Sequence, residues 1–150
     1  NVDASFSDHD FTGSCRIVVQ DFTGQFVAAA TAKLYHVPDV VSAEAAALLE
    51  GQKLATKLGC NNILVRMDNV TVVEALKEDE GYSMVAAPVL SACRSEFDSF
   101  GKAFIEYCNR ESNVVAHVLA EWGRENHPSE WFDSPPLFIV KYLADDVSVI

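Results

Sequence analysis

The chain has 150 residues, about half of them apolar, and its 22 acidic and 11 basic residues give a net charge of −11. This length and composition predict one globular domain and exclude a disordered or fibrous protein. No apolar run is long enough to span a membrane, and no cluster of Lys and Arg marks a surface for phosphate backbones. Any nucleic-acid function must therefore be reconciled with an acidic chain.

The first part of the chain predicts three consecutive strands. Apolar and polar residues alternate at 2–6, which is typical of a half-buried strand and puts Asp3 on its second face. A second strand at 15–20 and a third at 25–34 flank the turn sequence DFTG, so we expect them to form a hairpin. The sequence opens within the first of these strands, which indicates a piece of a longer protein.

Helices and strands alternate after the hairpin. Ser42 is a candidate cap for a helix that runs to about Leu58 and that Gly59 ends. The elements expected after it are a strand at 62–67, a short helix at about 70–77, a charged break (KEDEG) at 77–81, a helix at 83–99, a strand at 102–108, and a last helix from the capping residue Ser112 to about Trp122. Pro88 either kinks the helix at 83–99 or lies in its first turn. The order β-β-β-α-β-α-α-β-α predicts a mixed sheet covered by helices.

The last segment, 127–150, places aromatic and apolar residues around a pair of prolines. Two interpretations are open. The favoured one is that this tail packs on the domain formed by 1–126 and shields apolar surface. The other is that the tail is a docking segment for a protein partner.

The four cysteines are spaced too widely for a CxxC motif, so the sequence does not indicate a zinc site. We expect them to be free thiols, as is usual in a reducing compartment. This usage predicts an intracellular protein, in the nucleus or the cytoplasm.

Three acidic residues lie where strands and a helix are expected to meet. Glu44 begins the apolar stripe of the first helix, formed with positions 48, 51, 55 and 58, so it is expected to face the sheet. Asp68 follows a buried strand directly, where a carboxylate is costly unless something pairs with it. Asp3 completes a group of oxygen ligands of the kind that hard divalent cations prefer. For each residue alone a structural role is also open: an edge position for Asp3, a favourable charge at a helix start for Glu44, and a helix cap for Asp68.

Three stretches of the sequence carry a resemblance to a known family. NVDAS, SAEAAALLEGQKLATKLGCNNILVRMDNVTVVEAL and RESNVVAHVLAEW resemble the ribonuclease-H-like domain family, in particular its plant, retrotransposon-related branch. The resemblance covers essentially the whole chain. It implies an α/β fold with a five-stranded mixed sheet flanked by helices, and hydrolysis of the RNA strand of RNA–DNA hybrids with two Mg²⁺ ions. It maps the acidic metal ligands of the family onto Asp3, Glu44 and Asp68.

The sequence departs from the family pattern at several positions. Many active members have a fourth carboxylate at the start of the last helix, and His117 stands there. Neutral imidazole can bind a metal, although Mn²⁺ suits it better than Mg²⁺, so the resemblance implies His117 as a fourth ligand or a proton-transfer group. Taken alone, His117 indicates only a polar residue on a helix. Val40, Val41 and Val70 stand near positions where well-studied members read 2′-hydroxyls with Asn and Gln. The loop before the last helix lacks the histidine of bacterial members, and KEDEG is acidic where they carry a basic protrusion.

Two functions are therefore open. The first is a metal-dependent endoribonuclease that acts on RNA–DNA hybrids with Mg²⁺ or Mn²⁺, and the presence of all three acids favours it. The second is a catalytically weak or inactive domesticated domain that works as a nucleic-acid or protein interaction module, and the acidity and His117 favour it. In either case we expect weak, salt-sensitive hybrid binding, because few phosphates can be neutralised.

Overall fold

The structure, a computed structural model, describes residues 1–78, 85–125 and 127–146. The strands are β1 (Val2–Ser7), β2 (Thr12–Gln20), β3 (Phe26–Leu34), β4 (Asn62–Met67), β5 (Lys102–Tyr107) and β6 (Ser129–Phe132). The helices are α1 (Val40–Lys57), α2 (Val70–Lys77), α3 (Ala87–Phe97), α4 (Val114–Glu125) and α5 (Val140–Asp146). Short 3₁₀ turns at Arg110–Asn113 and Leu137–Ile139 precede α4 and α5. The predicted order of elements is confirmed, except that part of the KEDEG break and the first residues of the helix expected at 83–99 lie outside the described residues.

The strands form one antiparallel sheet and one parallel pair. The sheet has the order β1-β2-β3-β6, and β4 pairs with β5. β1 and β4 are neighbours, and a cavity of about 240 Å³ is lined by residues of both strands and by the end of β2. The mixed α/β fold is confirmed, with two differences from the expectation: the strands form two separate sheets in place of one five-stranded sheet, and β6 adds a strand after the last predicted helix.

Helix α1 covers one face of the sheet. Its predicted stripe is confirmed, since Glu44, Leu48 and Ala55 are buried. Gly51 allows the close approach of α1 to β1, because a Cβ atom at this position would lie 2.7 Å from a methyl group of Val2. The stripe therefore orients Glu44 toward the strands.

The opposite face of the sheet is covered by α4 and the segment that follows it. Val18 and Ala29 pack there with Val115, Leu119 and Ile139, all of which are buried. Trp122 stacks on Phe138 with a ring separation of 5.5 Å and meets Trp131 edge-on at 5.0 Å. β6 pairs with β3, so residues 129–132 extend the sheet. No helix in the described parts of the chain is long and apolar enough to cross a membrane.

The predicted caps of two helices are wrong. Asp39 caps α1 by accepting a hydrogen bond from the Ser42 amide at 2.7 Å, so the helix begins before Ser42. Asn109 accepts from the Ser112 amide at 2.9 Å and caps the turn that leads into α4. In both cases an Asx side chain three residues earlier satisfies the amide of the predicted cap, because Asp and Asn are at least as effective in this position as Ser. Pro88 lies in the first turn of α3, one of its two expected places.

Candidate metal centre

Three carboxylates converge where β1, α1 and β4 meet. Asp3 lies near the start of β1, Glu44 in the first turns of α1, and Asp68 directly after β4. One ligand oxygen from each residue lies within 4.8 Å of the other two. The three acids converge as predicted, and their oxygens are close enough to share one cation. The expected place, the carboxyl ends of the first and fourth strands, holds for Asp68 but is wrong for Asp3, which lies near the amino end of β1.

Glu44 is the least compensated of the three acids. Only 6% of its surface is exposed, and its Oε2 atom is buried without a hydrogen-bond partner in the described part of the structure. Burial, together with the negative charges of Asp3 and Asp68, raises the pKa of Glu44 to about 8, against an opposing effect of Arg16. A dry carboxylate beside two others is unfavourable unless a proton or a cation compensates its charge.

Both oxygens of Asp3 have partners. Oδ1 accepts a hydrogen bond from the Ala4 amide at 2.9 Å, and Oδ2 lies 3.4 Å from Nη2 of Arg16. Arg16 stands directly opposite Asp3 in the β1–β2 register and is itself buried. Burial raises the pKa of Asp3, and the charge of Arg16 opposes this effect. Sequence reasoning missed Arg16, because only the strand register shows that it meets Asp3.

Asp68 is not a helix cap. Asn69 has that role in α2, since its side chain accepts from the Val72 amide at 3.0 Å. The Asp68 carboxylate lies instead 3.6 Å from Nε of Arg110, whose side chain is 85% exposed, while that of Asp68 is 11% exposed. The Asp68 carboxylate belongs to the three-acid cluster, which accounts for an ionisable residue directly after β4. The prediction that this strand is buried is wrong, because Leu64 is exposed and only Val65 and Met67 are buried.

His117 lies on α4, exposed to solvent and outside the group of three carboxylates. Its charge lowers the pKa of Asp3, which is the weakest of the effects on that group. His117 is thus within electrostatic range of Asp3. Asn113, one turn earlier, is fully buried and donates from Nδ2 to the carbonyl of Val2 at 3.2 Å. This bond joins the start of α4 to the residue that precedes Asp3, a role that sequence reasoning did not find.

A family model described as reverse transcriptase-like matches residues 1–123. The chain belongs to this reverse transcriptase-like family. A search of the curated proteins finds no significant match.

Solved structures give the fold of this family member independently. It is similar to the ribonuclease H1 of Halobacterium salinarum NRC-1, with a TM-score of 0.76 and 19% identity, over 83% of this chain and 94% of that one. It is also similar to the N-terminal ribonuclease H domain of a Mycobacterium tuberculosis protein, solved as a fusion with maltose binding protein, with a TM-score of 0.73 and 20% identity, over 83% and 90% of the two chains. A ribonuclease H1 isolated from compost gives a TM-score of 0.73 at 15% identity, over 83% and 92%. The reverse transcriptase-like domain therefore has the ribonuclease-H-like fold.

The donor set of this domain fits a hard divalent cation. Three carboxylates offer oxygen ligands, which Mg²⁺ and Mn²⁺ prefer over nitrogen or sulfur. The Oε2 atom of Glu44 is buried without a hydrogen-bond donor among the described residues, and a bound cation would satisfy it. Asp3, Glu44 and Asp68 are the residues that could hold such an ion.

Proposed function

We propose that this ribonuclease-H-like domain is a metal-dependent endoribonuclease that cleaves the RNA strand of RNA–DNA hybrids. The observation that carries the proposal is the convergence of Asp3, Glu44 and Asp68, with ligand oxygens within 4.8 Å of one another. These acids come from three separate elements, and two of them are buried, which would be costly without a function for their charge. The fold shared with ribonucleases H1 supports the same reaction class.

On this proposal, Asp3, Glu44 and Asp68 hold Mg²⁺ or Mn²⁺, which when bound would activate water and stabilise the leaving oxygen. Glu44 must lose its proton to become a ligand, so cation uptake releases a proton below pH 8 or so. The Ala4 amide fixes the orientation of the Asp3 carboxylate, and Asn113 fixes the backbone of β1 beside it. His117 serves as a fourth ligand or transfers a proton.

The test is hydrolysis of a labelled RNA–DNA hybrid in Mg²⁺ and in Mn²⁺. Asp68→Asn removes one anionic ligand and should lower the rate by about 100-fold or more, since removal of one metal-ligating charge weakens transition-state stabilisation by several kcal/mol. Asp98→Asn is the matched control, because Asp98 is an exposed residue at the end of α3, outside the three-acid cluster. It should cleave like the parent. If Asp68→Asn also cleaves at the parental rate, the proposed site is wrong.

A second candidate function is an interaction module without catalysis. Two arginines already pair with two of the three carboxylates, which allows the cluster to persist without a cation. Val40 and Val70, near the positions where family members place 2′-hydroxyl contacts, are exposed apolar residues. Leu64 and Phe104 face each other across the β4–β5 pair and are exposed as well. A folded chain that binds no Mn²⁺ and cleaves no hybrid would favour this function over the first.

A further inference from the structure

We propose that Arg16 is a built-in counter-cation, whose guanidinium lowers the net negative charge of the three-acid cluster, so that the cluster takes up a single divalent ion. The inference rests on the proposed function, because it assumes that the cluster binds Mg²⁺ or Mn²⁺. The proposed number of bound ions is one, and Arg16 is the residue that limits this number.

The geometry places Arg16 inside the centre. It lies opposite Asp3 in the β1–β2 register, so both side chains project from the same face of the sheet. Its side chain is 6% exposed, and Nη2 lies 3.4 Å from Oδ2 of Asp3. Since Oδ1 of Asp3 accepts from the Ala4 amide, both oxygens of this carboxylate already have partners. Asp3 is therefore the least available ligand of the three.

The remaining ligands point to one ion. Oε2 of Glu44 is buried without a donor in the described part of the chain. Among the described residues, Asp68 forms an ion pair with the largely exposed Arg110, and exposed pairs of this kind are weak. Glu44 and Asp68 thus offer oxygens that a cation can bind at small cost. Asp3, beside them, remains in its ion pair with Arg16.

The net charge of the cluster also favours one bound ion. With all three carboxylates ionised, as cation binding requires, they and the buried guanidinium of Arg16 carry two net negative charges, which one divalent ion neutralises. The charge of Arg110 is left out of this sum because its side chain is 85% exposed and is screened by solvent. A second divalent ion would leave two uncompensated positive charges in a largely buried site, which is unfavourable. His117 strengthens this conclusion, because it brings no negative charge at the position where a fourth carboxylate is expected.

The experiment counts bound ions. Mn²⁺ is titrated into the whole chain, and the ion that remains free is followed by electron paramagnetic resonance, with calorimetry as a second measurement. The parent should bind one Mn²⁺. Arg16→Gln removes the charge and should bind two, with the first ion about tenfold tighter or more, because a like charge no longer opposes it. Arg16→Lys keeps the charge and should bind one.

Arg110→Gln is the matched control, because it removes the other arginine that contacts the cluster. Its charge lies at the exposed surface, so the number of bound ions should stay at one. The fold of each variant is checked by circular dichroism. If Arg16→Gln is unstable in EDTA, its melting temperature should rise with added Mn²⁺ by more than that of the parent, because the ions restore the missing positive charge.

The outcomes separate this inference from the function on which it rests. A parent that binds two ions, or an Arg16→Gln variant that binds one ion as the parent does, overturns the role of Arg16 and leaves the proposed function intact. If neither the parent nor any folded variant binds Mn²⁺, both are overturned.

Discussion

Glu44 carries the largest electrostatic cost at the scale of single residues. Its carboxylate is buried beside two other acids, and burial and these charges raise its pKa to about 8. The folded chain therefore holds a proton on Glu44 that the unfolded chain releases near the ordinary value of 4.5. The stabilisation that this proton gives is fully present below pH 4.5 or so and is lost as the pH rises toward 8.

The first prediction follows from the raised pKa of Glu44, which makes the folded state less stable as the pH rises. In EDTA, the free energy of unfolding of the parent should fall between pH 5 and pH 8 by a few kcal/mol, at about 1.4 kcal/mol per unit of pKa difference. Glu44→Gln should remove most of this fall, because an amide does not titrate. Urea denaturation at several pH values measures it. Glu50→Gln, on the same helix in an exposed pair with Lys53, is the control and should keep the parental pH dependence. An unchanged pH dependence in Glu44→Gln would contradict the assignment.

His117 gives a second prediction at this scale. If it serves the reaction, His117→Asp should shift the preference from Mn²⁺ toward Mg²⁺, because an oxygen ligand replaces nitrogen. The variant should also stay active at acidic pH, where a protonated imidazole can no longer bind a cation. Rates on an RNA–DNA hybrid, measured in each metal across pH for the parent and the variant, test both effects. A His117→Ala variant as active as the parent would remove His117 from the mechanism.

The site could be predicted from the sequence only as far as local patterns reach. Helical spacing placed Glu44 toward the sheet, and the end of a predicted strand identified Asp68. Arg16 and Asn113 were missed, because each acts on a residue distant in sequence. Arg16 meets Asp3 through the register of two strands, and Asn113 reaches Val2 across 111 positions of the chain. Neither partner follows from periodicity.

At the scale of elements, one buried amide links the start of α4 to β1, in addition to the apolar packing of α4 on the sheet. Nδ2 of Asn113 donates to the Val2 carbonyl, while its Oδ1 is buried without a partner in the described residues. Asn109, four positions earlier, caps the same turn through the Ser112 amide at the exposed surface. Asn113 therefore anchors β1, whereas Asn109 only caps the turn before α4.

The third prediction compares these two residues. Asn113→Ala should lower the free energy of unfolding by about 1–3 kcal/mol and also weaken Mn²⁺ binding, because the backbone beside Asp3 loses its anchor. Asn109→Ala should cost about 1 kcal/mol, as lost caps do, and leave Mn²⁺ binding unchanged. Chemical denaturation and calorimetry provide the two measurements. Equal Mn²⁺ affinities in the two variants would show that Asn113 has a purely structural role.

The segment after α4 gives the fourth prediction. Ile139 is completely buried against the α4 side of the sheet, whereas Leu137, two residues earlier in the same turn, is 92% exposed. Ile139→Ala should therefore lower the free energy of unfolding by about 2–5 kcal/mol, and Leu137→Ala should change it by less than about 0.5 kcal/mol. Urea denaturation of both variants checks this. A small effect of Ile139→Ala would mean that the segment 127–146 contributes little to the stability of the domain.

Most elements were predictable because their patterns are local. β4 and α2 have the predicted bounds, since a run of strand-forming apolar residues and a capped amphipathic helix are both encoded in consecutive residues. The helix starts at Asp39 and Asn109 were missed, because several residues nearby can cap and only geometry selects one. β6 was missed because four residues next to a proline carry too little periodicity, and it forms only by pairing with β3.

At the scale of the whole molecule, the net charge of −11 opposes the approach of a polyanion. At least five of the eleven basic residues form ion pairs with acids of the same chain, and one of these five, Arg16, is buried. At most six of the eleven are therefore left to neutralise phosphates. Affinity for a nucleic-acid backbone comes largely from such neutralisation and the release of counterions.

The fifth prediction is that the chain alone binds an RNA–DNA hybrid with a Kd above about 1 μM at physiological salt, in the range of non-specific complexes, and more weakly as salt is raised. Fluorescence anisotropy with a labelled hybrid in EDTA, where cleavage cannot occur on the proposed mechanism, measures the affinity across a salt series. Repeating the series with Mn²⁺ shows how far a bound cation offsets the charge of the three acids, and Asp68→Asn is the control for that effect. Submicromolar binding at physiological salt would contradict the prediction. It would mean that the unpaired Lys and Arg residues gather on one surface despite their separation in the sequence, and that the overall acidity has little influence on the hybrid.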